Sequence, residues 1–182
     1  MMEEMMKAGS PGPMQAYLCE DAGEWIGACT MWMAPSAPPT TSKTKLTVTP
    51  VLGGRFVQQV ANGDMAEWGA FEGLGMIGYD NAKGEFQASW ADNMGTGMMY
   101  GTGTLSSDKK ELTINYSYFC PMAKKNCVFR QTYTHNDNGT KTMRMWTTAE
   151  TGEEYKMMET VYARTSKPAT HAAHAEGNDN AH

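Results

Sequence analysis

The sequence predicts an all-β fold: a ten-stranded up-and-down antiparallel β-barrel with short N-terminal helices and a disordered C-terminal tail. From Gly23 onward apolar and polar residues alternate with period two, the pattern of strands that bury one face. Turn residues recur at intervals of about fifteen residues, the rhythm of consecutive hairpins. The 19 Gly, with Thr, Tyr and Trp spread along the chain, suit tight turns and strands better than a helix bundle. Short loops between successive strands force antiparallel neighbours, and closing such a sheet on itself removes its long unpaired edges.

Residues 1–22 form the helical segment. Ser10-Pro11-Gly12-Pro13 ends a first turn or two of helix, and a second short helix follows over Met14 to Asp21. Strands are expected at 24–33, 43–50, 54–62, 67–78, 85–93, 97–106, 110–119, 126–135, 140–148 and 153–164, within a barrel domain at 23–165. The connections Gly53-Gly54, Asn62-Gly63-Asp64, Asp80 to Gly84, Ser106 to Lys109, Asn138-Gly139 and Thr151-Gly152 supply residues that tolerate positive φ or make Asx turns. The tail, 166–182, is rich in Ala, Asn and His without apolar period and is expected to be disordered.

A chain of 182 residues fits one domain. The hydrophobic fraction of 41% and mean hydropathy of −0.52 fit alternating rather than blocked apolar residues, and no stretch reaches the length of an apolar membrane-spanning helix. A net charge of −5 with scattered Lys and Arg argues against a nucleic-acid partner. The N-terminal Met1 to Lys7 carries two acids and no apolar core, so it does not read as a secretory leader; cysteine number leans towards a periplasmic or secreted protein whose leader is absent from this chain. Nothing in the sequence fixes an oligomeric state.

Several short motifs in order resemble the bacterial family known as domain of unknown function 1579. They are Pro11-Gly12-Pro13, Gly23-Glu24-Trp25, Met31-Trp32-Met33-Ala34-Pro35, Leu52-Gly53-Gly54-Arg55-Phe56, Phe71-Glu72-Gly73-Leu74-Gly75, Gly78-Tyr79-Asp80, Trp90-Ala91-Asp92-Asn93-Met94 and Val161-Tyr162-Ala163-Arg164. The resemblance implies a barrel related to the calycins and lipocalins, and implies no activity. Trp25 and Arg164 are similar to the calycin pair in which an arginine stacks over a tryptophan that closes one barrel end, an architectural role. Members of the family commonly carry an acid and a histidine after the Pro-Gly segment, where this chain has Met14 and Gln15, so no role of that histidine transfers. The segment from Cys120 to Cys127 likewise replaces the family's usual Asp-Pro loop.

A ten-stranded barrel is wider than the eight-stranded kind that its own side chains just fill, so the expected function is non-catalytic binding of a small hydrophobic or amphipathic molecule inside it. The residues expected to bind it are Phe71, Glu72, Trp90, Asp92, Tyr100, Tyr116, Arg130, Met145, Trp146 and Met158. A ligand burying about 300 Å² of apolar surface gains at most about 7 kcal/mol, less several for association. Among charged strand residues Glu72, Asp92, Arg130, Arg144 and Glu159, one or two facing inward would orient a polar group or support an alternative enzymatic use. His135 is the one histidine of the barrel and is expected to be solvated beside its turn; the last strand has none to hold a haem, and no cofactor is expected.

The 17 Met are first of all adaptable core filler. Met31 with Met33, Met143 with Met145, and Met94 near Met98 and Met99 form soft thioether sets that make Cu(I) a second alternative, with His171, His174 and His182 of the tail as a further one; no metal site is assigned. Cys19, Cys29, Cys120 and Cys127 lack zinc-ligand spacing and allow three pairings if all are oxidised. Cys120 and Cys127 bracket a hairpin tip, which makes them the disulfide candidate.

Overall fold

The computed structural model describes residues 1–65, 69–120 and 124–166, so the tail with His171, His174 and His182 lies outside the described residues. Two helices come first. In α1 (Met2–Gly9) the Ser10 hydroxyl donates to Met6 O at 2.7 Å as the helix ends. In α2 (Pro13–Cys19) proline occupies the first turn, where its missing N–H costs nothing, and the Gly12 N–H donates to Gln15 Oε1 at 2.8 Å.

Ten strands follow: β1 (Gly23–Met31), β2 (Thr40–Val51), β3 (Phe56–Asp64), β4 (Ala70–Asp80), β5 (Glu85–Asp92), β6 (Met99–Leu105), β7 (Glu111–Cys120), β8 (Lys125–His135), β9 (Lys141–Thr148) and β10 (Glu154–Ser166). Each pairs antiparallel with its sequence neighbours, and β10 returns to β1, so the sheet is a closed up-and-down barrel as expected. β2 starts at Thr40 rather than 43 because Thr40 and Thr41 pair with Met31 and Thr30, and β4 starts at Ala70 rather than 67.

Alternation decides which side chains fill the barrel. On β4, Phe71, Gly73, Gly75, Ile77 and Tyr79 face inward and Glu72, Leu74 and Met76 face out. Val48, Val57, Ile77, Phe86 and Ile114 are fully buried and mark the half of the lumen nearer the helices. That end gathers the start of β1 and the end of β10, and α2 packs across β3 and β4 there, so α2 stoppers it. The opposite, open end gathers the start of β4 and the ends of β5 and β7.

Candidate functional site

The stoppered end is held by charge as well as by apolar contact. Trp25, 3% exposed, donates its indole N–H to Asp21 O at 2.9 Å. The Arg164 guanidinium stacks 4.3 Å from the Trp25 ring and donates to Ala22 O (2.9 Å) and Glu20 O (2.6 Å). This contact, typically worth ~0.5–2 kcal/mol, ties the last strand to the α2–β1 link. Lys141, 0% exposed, lies 5.2 Å from the Trp25 ring and 5.5 Å from the Tyr133 ring and donates to Asp21 Oδ2 at 2.7 Å. His135 is not a solvated turn residue: its Nε2 meets Asp21 Oδ1 at 3.0 Å and its ring packs on Tyr17. Burial alone would raise the Asp21 carboxyl, but Lys141 and His135 outweigh it and hold the group at about 2. Gln15 is buried and donates to Tyr79 O and Asn81 Oδ1. These groups have one another as partners.

Outside the same end, a cleft of 250 Å³ opens between the 8–11 segment and strands β3 to β5. Arg55 donates across it to Gly9 O, and Asn81 donates to Ala8 O and Ser10 O, so its polar side chains serve to anchor the helical segment.

At the open end six inward apolar side chains are only partly buried: Phe71, Trp90, Met99, Tyr118, Met145 and Met158. Beneath them the phenols of Tyr116, Tyr133 and Tyr162 form a floor, with Gln131 donating to the Tyr133 hydroxyl at 2.7 Å. Burial pushes all three phenols well above their ordinary range, so the floor is polar and uncharged. Burial, then the neighbouring Cys120 and Cys127, pushes Tyr118 up to about 12.

Of the ten residues expected to bind ligand, the barrel brings Phe71, Trp90, Asp92, Met145 and Met158 together at this open end and places Tyr116 below them at 3% exposure. The other four lie on the outer wall, all from strand phase. Glu72 lies on the outer face between the inward Phe71 and Gly73, and Tyr100, 61% exposed, lies outside β6. Arg130 and Trp146 pair across β8 and β9 on the outer wall, where the guanidinium stacks 4.0 Å from the indole and reaches Glu154 Oε2 at 2.8 Å. Arg144 and Glu159 also pair outside, at 2.7 Å, with Lys156 on the same carboxylate. Asp92 is therefore the inward member of the charged strand set. Its Oδ2 accepts the Trp90 indole N–H at 3.0 Å and its Oδ1 the Met94 N–H at 3.1 Å.

Cys120 and Cys127 are thiols in the structure. Register sets Cys120 opposite Lys125 and Cys127 opposite Tyr118, so the two cysteines are diagonal neighbours on adjoining strands. Diagonal positions lie ~7–8 Å apart, beyond ordinary disulfide reach. Met33, Met94 and Met98 are exposed, whereas Met31, Met158 and Met145 stand directly opposite one another across β1, β10 and β9, all facing inward.

Two groups carry no local signal in the sequence: the Asp21–His135–Lys141 cluster, in which Asp21 lies more than a hundred residues from its two partners, and the Met31–Met158–Met145 row, which exists only once register is known.

Among solved structures, the chain is similar to Rv2717c from M. tuberculosis at a TM-score of 0.66 with 16% identity, over 86% of this chain and 100% of that one, a likeness of fold. No curated protein matches the sequence. The profile of the family described as "Protein of unknown function (DUF1579)" matches residues 10–164, which covers both the α2 stopper and nearly the whole barrel wall, and the chain belongs to that family.

Proposed function

We propose that this protein binds a small hydrophobic or amphipathic molecule in the open end of its barrel and does not turn it over. One observation carries the proposal: inward side chains near the helices are sealed, while Phe71, Trp90, Met99, Tyr118, Met145 and Met158 at the other end are apolar, inward and still partly wet. Apolar area left in contact with water inside a concave wall is where burial of a ligand gains free energy. The uncharged phenol floor below offers hydrogen bonds to a polar atom without a charge to neutralise. The stacked Trp25–Arg164 pair at the stoppered end supports grouping the barrel with calycin-like carriers. With Glu72, Arg130, Arg144 and Glu159 all on the outer wall, the residues expected to serve an enzyme are not convergent. Native mass spectrometry of protein purified without delipidation tests the proposal. A stoichiometric organic adduct, released on denaturation, is the expected result. Absence of any adduct, together with no uptake of a decyl-chain amphiphile, would overturn it.

A second reading rests on the thioether row. Met31, Met158 and Met145 occupy consecutive cross-strand positions, with facing Cβ atoms ~4.5–5.5 Å apart, close enough for flexible side chains to converge on one soft ion such as Cu(I). Competition for Cu(I) against a chromophoric chelator, repeated with Met145→Leu and Met158→Leu, decides it: equal competition by all three proteins removes copper from consideration.

A further inference from the structure

The best-defined geometry of the open end is around Trp90, and it favours one class of head group. Trp90 projects inward from β5 and its indole lies across Gly73 and Gly75 of β4. A Cβ on either glycine would intrude on the ring, at Cζ2 from position 73 and at Cε3 from position 75, so the absent side chains are what let the indole rest flat on the backbone. The wall thus covers one π face of a ring that points inward and is only partly buried. Rotation in that plane is restrained by the N–H bond to Asp92 Oδ2 at 3.0 Å. Both Asp92 oxygens accept neutral N–H groups, and among the described residues Asp92 takes part in no ion pair. Its charge is held in place without being cancelled. Phe71 and Met99, the inward neighbours on β4 and β6, are apolar.

We infer that the open end selects an organic cation, a substituted ammonium with an apolar tail, seated over the lumen face of Trp90 with Asp92 as its counter-charge. The inference rests on the ligand-binding reading above and specifies its head group. An aromatic face attracts a cation through its quadrupole, and a carboxylate at the ring edge adds Coulomb attraction from the side. The same carboxylate repels an anionic head. The tail crosses the lumen towards Met145 and Met158 on the opposite wall, where thioethers adapt to chain shape.

Three probes of equal tail length separate the ideas by calorimetry at neutral pH: decyltrimethylammonium, decanol and decanoate, each below its micelle concentration. The ammonium is expected to bind one to one and at least tenfold more tightly than decanoate. Asp92→Asn, which keeps an oxygen for the indole N–H, is expected to abolish that preference. Equal binding of all three probes, unaltered in Asp92→Asn, overturns the cation inference and leaves the apolar site standing; binding of none overturns both. Should Asp92→Asn also lose decanol, the salt response of the unaltered protein decides: an ammonium preference that stays constant between about 10 mM and about 1 M salt contradicts a role for the exposed edge of the carboxylate.

Discussion

The two ends of this barrel spend polar and apolar groups in opposite ways. At the stoppered end Asp21, Lys141, His135 and Arg164 are drawn under helix α2, where each finds a charged, aromatic or carbonyl partner. At the open end the inward groups are mostly apolar, yet water still reaches them. A cluster of buried charge is thus a fastening in this molecule, and the proposed binding site lies where hydrophobic side chains lack neighbours.

Removing a fastening should hurt most. Lys141→Met leaves the Asp21 carboxylate buried with only half its partners, and the expected loss is about 3–5 kcal/mol in urea unfolding. A loss below about 1 kcal/mol would mean that the stoppered end is held by apolar packing alone. Next comes acid. Asp21 sits at about 2 instead of the model-compound 3.8, so its folded form binds the proton less readily than the unfolded chain. The stabilisation, on the order of 2 kcal/mol, is complete above the unfolded value and disappears as pH falls through about 2. Stability measured from pH 5 down to pH 2 should decline for the natural sequence and decline less steeply for Lys141→Met. Parallel curves would detach Asp21 from Lys141.

The open end responds differently. Gly73→Ala places a methyl group under the Trp90 ring, and because that indole is only partly buried it can swing away from β4. The expected stability cost is about 1–2 kcal/mol, the lower part of the usual range for overpacking. Loss of ligand or probe binding should be larger than that cost explains, since the ring no longer lies on the wall. An unchanged probe affinity would show that the glycine shelf has no part in recognition.

This contrast was only partly legible in the sequence, for reasons of geometry. Alternation and turn chemistry announce the barrel because every hairpin repeats the same two signals, and Phe71, Trp90 and Asp92 stand out as large or charged residues on one phase of their strands. Phase itself is fragile: a shift of one residue exchanges the two faces, which is why Glu72, Tyr100, Arg130 and Trp146 read as lining residues. On β4 the usual cue is inverted, since Gly73 and Gly75 face the lumen while Leu74 and Met76 face solvent. Arg130 and Trp146 satisfy each other outside the barrel, and that attraction needs both strands in register before it can be seen. Contacts such as Asp21 with Lys141 depend on closure of the whole wall and leave no trace in local spacing.

The smallest expected effect on stability is also the one that separates the two uses open to the thioether row. Met158 sits between Met31 and Met145 and is half-buried, so Met158→Leu conserves apolar volume and should change unfolding free energy by less than about 1 kcal/mol. A leucine serves an apolar tail as well as methionine does, and uptake of an organic amphiphile should survive. A sulfur-bound ion has no substitute for the lost thioether, because the middle position of the row is the one from which both outer sulfurs can be reached. Retained amphiphile binding with weakened Cu(I) competition would make the row a metal site inside a ligand site. If neither changes, Met158 is wall, and the open end is defined by Trp90 and its glycine shelf.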